Sequence, residues 1–599
     1  MSEERPRGRI VLGLKSLGHD PGAALIADGK VVAISEERLN RIKYSPHRFP
    51  ALSIDYCLKA LNVQPREVDL VVCDFVGTDD LGDEEPASNV RRELGTAFAS
   101  VRIESANHHD AHAATAYLCS PFDEAATLVY DGSGAVFKTK GGKTATETES
   151  FYRGKGNSLT LVDKTLHERL GPGKYPQTFG ICKLYATFSM GYLSFGRLNE
   201  GKMMGLASYG DDSFLKSFPY ERFVTKRDGK LVCNSQIIIK RPLLERIFGL
   251  LRSPRRILVA AATRISRDRG AEKPSEKMFE PVIMPRPARD PKRNTLPDEF
   301  YSSVAYAAQR IFERFAVEIG KKLRAQVASP NLCVAGGGAL NIDANHNFLT
   351  QVGFKNLFAQ PASSDAGIPL GCALWGYHVI FKQARFWIMI NASLGRPYEE
   401  QEVRDAIEKK KEEMEVSRSA DVAKDAAKLI ADGKIVGWFQ GGSEYGPRAL
   451  GNRSILCDAR RADMKDILNN RVKHRESWRP FATSILAERL EDWFDLKPNV
   501  ATAFMLLAAP VRKEKRSLVP SIVHVDGTCR MQTLTPEANG IYYSLVREFE
   551  KLTGVPLVLN TSFNLAGEPI VETPGDALDT FLRTDMDYLV LGNYIIKKR

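Results

Sequence analysis

Between Ile10 and Arg385, short uninterrupted apolar runs alternate with longer segments in which apolar residues recur every three or four positions. The first pattern is that of a buried strand and the second that of an amphipathic helix. RIVLGL, the turn SLGHDPG, AALIA, the ADGK hairpin and VVAIS predict a meander of strands at the start of the chain. DLVVCDF (69–75) and ATLVYDG (126–132) predict further buried strands, and SSVAYAAQRIFERFAVEIGKKLRAQ (302–326) predicts one long amphipathic helix. That helix leads into NLCVAGGGALN, where a strand should break at three glycines and a new helix begin. Strands alternating with helices predict a layered α/β domain. The pattern resets in RFWIMINASLGRPYEEQEV, after which EEQEVRDAIEKKKEEMEV reads as a charged surface helix, AKDAAKLIADGK as a second helix and IVGWFQGG as a strand. We therefore expect two domains, 1–388 and 389–599, with no internal repeat.

Composition narrows the class. A chain of 599 residues, 43% hydrophobic and 26% charged, is long enough for two or more globular domains, which excludes a minimal binding module. Its nine cysteines are scattered, without a CxxC pair or a disulfide framework, which points to a reducing compartment. The start, MSEERPRGRIVLGL, is charged and enters a strand directly, and no window of about 18 apolar residues occurs. A cytoplasmic protein without a membrane partner is the expectation.

The net charge of +11 raises the question of nucleic acid. Between Arg252 and Pro297 stand twelve Lys or Arg against five Asp or Glu, so +7 of the excess is local. With SPRR, PRPARDPKR and several prolines, this stretch reads as a loop-rich basic insertion, and no RNP, zinc-finger or helix-turn-helix pattern accompanies it. Nucleic acid is disfavoured as the principal substrate. A solvated insertion, or a lip over the active site for an anionic acceptor, is the preferred reading.

Four turns that follow buried strands carry glycine or aspartate: SLGHDPGA (16–23), YDGSGA (130–135), AGGGALN (335–341) and SSDAGIPLG (363–371). One such loop is weak evidence, since glycine serves any tight turn; four at strand ends suggest phosphate loops whose amides approach an anion. Their order resembles that of the actin and sugar-kinase type of nucleotide-binding fold, with Gly132, Gly336, Gly337, Gly338 and Asn341 as nucleotide-binding candidates.

NHHDAHAATAY (107–117) crowds three of the ten histidines into five positions. On a helix, His108 and His112 are i and i+4 and leave one face, as two metal ligands would. The segment lacks the glutamate of an HExxH hydrolase, and a helix start capped by Asn107 explains it equally well. Asp131 and Asp365 close two of the four turns; alone each is an ordinary turn-former. Together with the histidine pair they compose a four-ligand set suited to divalent iron or zinc, with positions open to a substrate oxygen. His19, in the first loop, has the chemistry to take a proton from an acceptor hydroxyl.

Farther on, Arg448, Arg453, Arg471, Lys473, Arg475 and Arg479 fall within 32 positions among glycines and prolines. Forked guanidiniums suit phosphate oxygens, although a basic surface loop would look much the same; Trp478, Pro480 and Phe481 favour a walled site. Arg530, Asn560, Ser562 and Asn564 follow strand-like or turn-like segments and could close the same pocket.

GHDPGAALI, NHHDAHAATAY, YDGSGA, EGKMMGLASYG, GGGALNIDAN and SSDAGIPLG, then GGSEYGPRALGNRS, NRVKHRESWRPFA and LNTSFNLAGEPIV, resemble the NodU/CmcH family of O-carbamoyltransferases from about residue 10 to 595. The resemblance implies a first domain like the tRNA threonylcarbamoyl transferases, of the actin and sugar-kinase type, and a second that is YrdC-like and α/β. It implies that carbamoyl phosphate and ATP, the latter with Mg2+, give carbamoyladenylate in the second domain, and that the first passes the carbamoyl group to a hydroxyl of a small-molecule natural product or sugar. The family's metal ligands fall on His108, His112, Asp131 and Asp365, with Fe2+ the expected ion and Zn2+ or Mn2+ alternatives. Its catalytic histidine falls on His19. Its phosphate-binding residues fall on Arg448, Lys473, Arg475 and Arg479. Many relatives carry DGxGE in the second loop, where this chain has Ala135, and the basic insertion is not a family constant. A tRNA or nucleoside acceptor and a non-catalytic nucleotide sensor are the rival readings; retention of the whole residue set speaks against the second. The acceptor and the oligomeric state, a homodimer included, are open from sequence.

Overall fold

The computed structural model describes residues 8–16, 18–75, 86–138, 144–169, 178–240, 282–285, 298–496 and 502–599. Apart from Val282–Pro285, the basic insertion at 252–297 lies outside the described residues. Contacts divide the chain into two compact units: residues 1–130, 150–163 and 316–599 form one, and residues 131–149 and 164–315 the other.

The first unit opens with the expected meander. Strands β1 (Val11–Lys15), β2 (Gly22–Ala27) and β3 (Lys30–Ser35) pair antiparallel, and β4 (Leu70–Phe75) and β5 (Arg102–Asn107) continue the sheet in parallel, in the order β3-β2-β1-β4-β5. This order, an antiparallel triplet extended by two parallel strands, is that of the actin and sugar-kinase type of domain. Every residue of β1 and β2 is buried, which explains why these strands read as unbroken apolar runs without alternation. A second parallel set, β6 (Glu124–Tyr130), Asn331–Ala335 and Asn356–Ala359, places the ends of its strands beside further turns of the same kind.

The helix expected from NHHDAHAATAY is His108–Tyr117, and the Asn107 side chain caps it by accepting from the His109 and Asp110 amides. The helix Ile368–Leu374 packs against it without room for a side chain at Gly371, where a Cβ would stand 2.0 Å from the Ala111 carbonyl oxygen. Gly13 of β1 is similarly required, since a Cβ there would lie 2.1 Å from the Pro369 oxygen. Two small residues thus let this helix press onto both its neighbours, which draws the turn before it toward the histidine helix.

Within the same unit, a nine-stranded mixed sheet runs in the order Met414–Arg418, Tyr594–Lys598, Tyr588–Leu591, Val436–Phe439, Arg453–Cys457, Leu557–Ser562, Ala482–Leu486, Thr528–Leu534 and Ala508–Pro510. The helices Val422–Ala431 and Pro536–Thr553 cover it, burying Ile430, Tyr542, Leu545 and Phe549 against Trp438, Leu456 and Leu557. The α/β class holds for both halves. Arg38 donates to the Glu444 and Gly446 carbonyls and Arg41 to those of Pro569 and Ile570, so the segment after β3 is tied to the C-terminal sheet's loops.

The second unit contains the three-stranded sheet Thr178–Phe179, Lys230–Asn234 and Val224–Arg227. Glu149, 2% exposed, accepts from Thr148 Oγ1 and the Ile181 amide, and burial, only partly offset by these bonds, raises its carboxyl from the usual 4.5 to about 7. A raised carboxyl binds its proton more tightly in the folded chain, so stability falls as pH rises from 4.5 through about 7 and is level above. Glu149→Gln is therefore expected to stabilise the protein at pH 8, by an amount on the order of 3 kcal/mol, and to have little effect near pH 4. Thermal melts at the two values check this; equal shifts at both would contradict it.

Candidate functional site

The turns that read as phosphate loops supply one cluster of chemistry in the first unit. His108 leaves the first turn of its helix and His112 the next, their rings 4.8 Å apart and nearly perpendicular. Asp365, in the turn before Ile368–Leu374, stands opposite: its Oδ1 is 3.6 Å from His108 Nε2 and 3.8 Å from His112 Nε2. The ligand atoms of these three residues lie within 4.8 Å of one another, a spacing a single cation can span. His112 is wholly buried, and neither of its ring nitrogens has a hydrogen-bond partner among the described residues. A buried imidazole is costly to leave in that state, so the donor set fits a metal ion of the borderline kind that takes imidazole with carboxylate.

Burial works against a charged imidazole at His108, but the Asp365 and Asp74 carboxylates more than reverse this and take it up to about 10. Burial likewise opposes ionisation of Asp365, and Lys15 and His108 overcome it, holding the carboxyl well below its usual range. The cluster therefore draws positive charge to itself.

Asp131 is the first residue after β6 and belongs to the second unit. Its amide donates to the Thr148 carbonyl at 2.8 Å, and its Oδ2 accepts from the Ser133 amide at 3.4 Å, as a turn aspartate does. In the same loop the Ala135 amide donates to Glu147 Oε1 at 3.1 Å, so a carboxylate from the strand Thr144–Lys155 meets the backbone at this position.

The two members of NHHDAHAATAY without a sequence role acquire structural ones. His109 Nδ1 pairs with Ser150 Oγ at 2.7 Å, and Asp110 accepts from Tyr152 OH at 2.8 Å, pinning the helix to the strand Thr144–Lys155.

His19 lies in the turn between β1 and β2. Its Nδ1 meets Asp20 Oδ2 at 3.0 Å, and its Nε2 stands 3.8 Å from Asp365 Oδ2. Asp20 escaped the sequence reading, although its place beside His19 in GHDPG was the available signal. Lys15 and Asp74 escaped it too. Each is a charged residue within a buried strand, LGLK and VVCDF, and such a residue needs partners.

At the AGGGALN loop, Gly336 has φ +87, and a Cβ on it would lie 2.4 Å from the Tyr130 carbonyl oxygen; on Gly338 a Cβ would lie 2.4 Å from the Tyr130 ring. Both must be glycine to let the loop close over β6. Gly132 has open space around it. Residues Gly337–Leu340 form a 3₁₀ turn, and the Asn341 side chain caps the six-residue helix that follows by accepting from the Ala344 amide.

The basic residues of the C-terminal half separate into two kinds. Arg453 is fully buried, its guanidinium held by the carbonyls of Gln440, Gly441, Asn452 and Glu572, and Arg471 pairs with Asp587. Both serve the fold. Arg448, Lys473, Arg475, Arg479 and Arg530 instead crowd one another. Burial, then the Arg530 and Arg479 charges, pushes Arg448 well below its ordinary value; burial, then Arg479 and Arg530, does so for Arg475; burial, then Arg475 and Arg479, does so for Lys473. Burial brings Arg530 down to about 10, with Arg479 adding to the effect. A guanidinium does not give up its proton in a protein, so these shifts register first the cost of burying fixed cations and then their mutual repulsion.

Lys473 Nζ is caught by the Ser562 and Asn564 carbonyls and by Asn564 Oδ1 at 2.7, 2.9 and 3.0 Å, so it also shapes the LNTSFN turn. Asn560, 1% exposed, donates to Ser484 Oγ and the Ala449 carbonyl. Arg448 Nε, Arg530 Nε and Asn560 Oδ1 are buried without hydrogen-bond partners among the described residues.

Residues 10–85 and 96–374 match the family model described as Carbamoyltransferase N-terminus, and residues 427–598 match Carbamoyltransferase C-terminus. The chain belongs to the carbamoyltransferase family, and it is a carbamoyltransferase enzyme. Uncharacterized protein sll1178 of Synechocystis sp. is 32% identical, with 98% of this chain and 96% of that protein covered. Nodulation protein NolNO of Sinorhizobium fredii is 34% identical, with 97% and 79% covered. Among solved structures, HypF of T. kodakarensis covers 64% of this chain and 50% of its own, at 14% identity and a TM-score of 0.31. The family expected from the motifs is the one the chain matches along most of its length. Among the described residues, no helix is long and apolar enough to cross a membrane.

Proposed function

We propose that the protein is an ATP-dependent O-carbamoyltransferase in which residues 389–599, YrdC-like, convert carbamoyl phosphate and ATP to carbamoyladenylate and residues 1–388 pass the carbamoyl group to a hydroxyl of a small molecule or sugar. The observation that carries this reading is the group of five cations, Arg448, Lys473, Arg475, Arg479 and Arg530, which repel one another, while Arg448 Nε and Arg530 Nε are buried without hydrogen-bond partners among the described residues. Mg2+-bound ATP and carbamoyl phosphate would relieve that repulsion, and guanidinium forks match their phosphate oxygens. Asn560 and Ser562 border the same turn and add neutral polar groups.

His108, His112 and Asp365 would hold a divalent metal, Fe2+ by preference with Zn2+ or Mn2+ as alternatives, which when bound supplies Lewis acidity toward a carbamoyl oxygen. The loop carrying Gly336, Gly337, Gly338 and Asn341 would receive the nucleotide moiety of the intermediate. His19 accepts the proton of the acceptor hydroxyl at Nε2 while Asp20 holds Nδ1 and with it the ring's orientation.

The test is incubation with carbamoyl phosphate, Mg2+-ATP and a panel of hydroxylated natural products and sugars. The expected result is pyrophosphate release and a mass gain of one carbamoyl group on an acceptor. Carbamoylation that proceeds without ATP, or the absence of pyrophosphate when ATP and carbamoyl phosphate are both present, would sink the reading.

A further inference from the structure

Behind the candidate metal ligands lies a second layer of charge that the proposed reaction does not use. Lys15, the last residue of β1, is 2% exposed, and Asp74, near the end of β4, is 1% exposed. Asp74 Oδ2 meets His108 Nδ1 at 3.2 Å, on the side of the ring away from Asp365. Lys15 Nζ lies 3.5 Å from that same Asp74 oxygen and 3.2 Å from Asp365 Oδ2, while Asp365 Oδ1 is the atom turned to the two histidines. A chain of contacts therefore runs from His108 through Asp74 and Lys15 to Asp365, and it returns to His108 across the position a cation would occupy.

We propose that Asp74 and Lys15 are positioning residues for the metal, acting on it in opposite senses. Asp74 accepts a hydrogen bond from His108 Nδ1–H, which keeps the ring proton on Nδ1 and leaves the Nε2 lone pair for the ion, as carboxylate partners of metal-bound histidines do. Lys15 holds Asp365 by one oxygen and leaves the other for the ion, and it supplies the positive charge that keeps Asp74 and Asp365 tolerable to each other when no metal is bound. The parallel pairing of β1 and β4 sets this arrangement, with Leu14 opposite Cys73 placing Lys15 and Asp74 as the next residue of each strand. The inference rests on the metal site read above.

The two senses make the test decisive. Mn2+ is titrated into the metal-free full-length protein, with binding followed by the EPR signal of the free ion and by the metal-induced shift in Tm, for wild type, Asp74→Asn and Lys15→Met. Asparagine can donate to Nδ1 and so move the ring proton onto Nε2, which blocks the ligand atom. Asp74→Asn should therefore weaken Mn2+ binding by about 10–100-fold and shrink the metal-induced shift. Lys15→Met leaves two buried carboxylates without their cation, so the metal-free Tm should fall and the metal-induced shift should grow; a variant that folds only with Mn2+ is the extreme of that outcome. If Asp74→Asn does not fold, the Lys15→Met arm still decides. Shifts equal to wild type, or moving in the same direction in both variants, overturn the proposal while leaving the metal site intact. Absence of Mn2+ binding by wild type overturns the metal site itself, and this inference with it.

Discussion

His19→Asn will stop transfer of the carbamoyl group to the acceptor and leave pyrophosphate release from ATP and carbamoyl phosphate near the wild-type rate. Asparagine is close to imidazole in reach but cannot accept a proton at neutral pH, so the loss should be on the order of 10²–10⁴-fold in the transfer step. The separation follows from where His19 sits. Its contacts are Asp20 and Asp365, both from turns of the N-terminal sheets. Measuring pyrophosphate and carbamoylated product in one reaction mixture checks both halves. Equal loss of the two activities would refute a division of labour between the two parts of the chain.

The second large effect belongs to the cation cluster. Arg448→Ala and Arg530→Ala should each lower pyrophosphate release by about 10²–10³-fold, the usual cost of removing one preorganised group that meets developing charge. The same substitutions should raise the Tm of the ligand-free protein, because each removes a cation that burial and its neighbours already penalise. ATP should raise the Tm of wild type by more than that of either variant. A variant that lost activity and stability together would mark its arginine as a packing residue, as Arg453 is. This opposition between stability and function is what a site built for a polyanion would show, since binding of the polyanion would relieve the repulsion among its cations.

Much of this site was legible in the linear chain because its residues lie in turns that follow apolar runs. A run such as IVLGL or ATLVYDG announces a buried strand, and a glycine or aspartate where it stops announces a turn, so the positions of His19, Asp131, Gly336 and Asp365 followed from local signals alone. The spacing of His108 and His112 is also local, one helical turn. By contrast, the clustered arginines looked equivalent in sequence, and burial divided them. Arg453 opens a central strand and is fully buried under backbone carbonyls, and Arg471 finds Asp587, a partner 116 residues away.

The sequence by itself therefore determined the α/β class, the family, the order of the loops and the histidine pair, since each depends on periodicity or on neighbours within a few residues. Tertiary structure alone decided which charges meet. Lys15, Asp74, His108 and Asp365 are separated by as many as 350 positions and come together because β1 and β4 pair in parallel and because Gly13 and Gly371 let one short helix settle between a strand and the histidine helix. No local pattern encodes such a meeting. It is set by strand register and by the absence of two side chains, and it turns a lysine and an aspartate that look like interruptions of apolar strands into partners of the histidine and aspartate of the site.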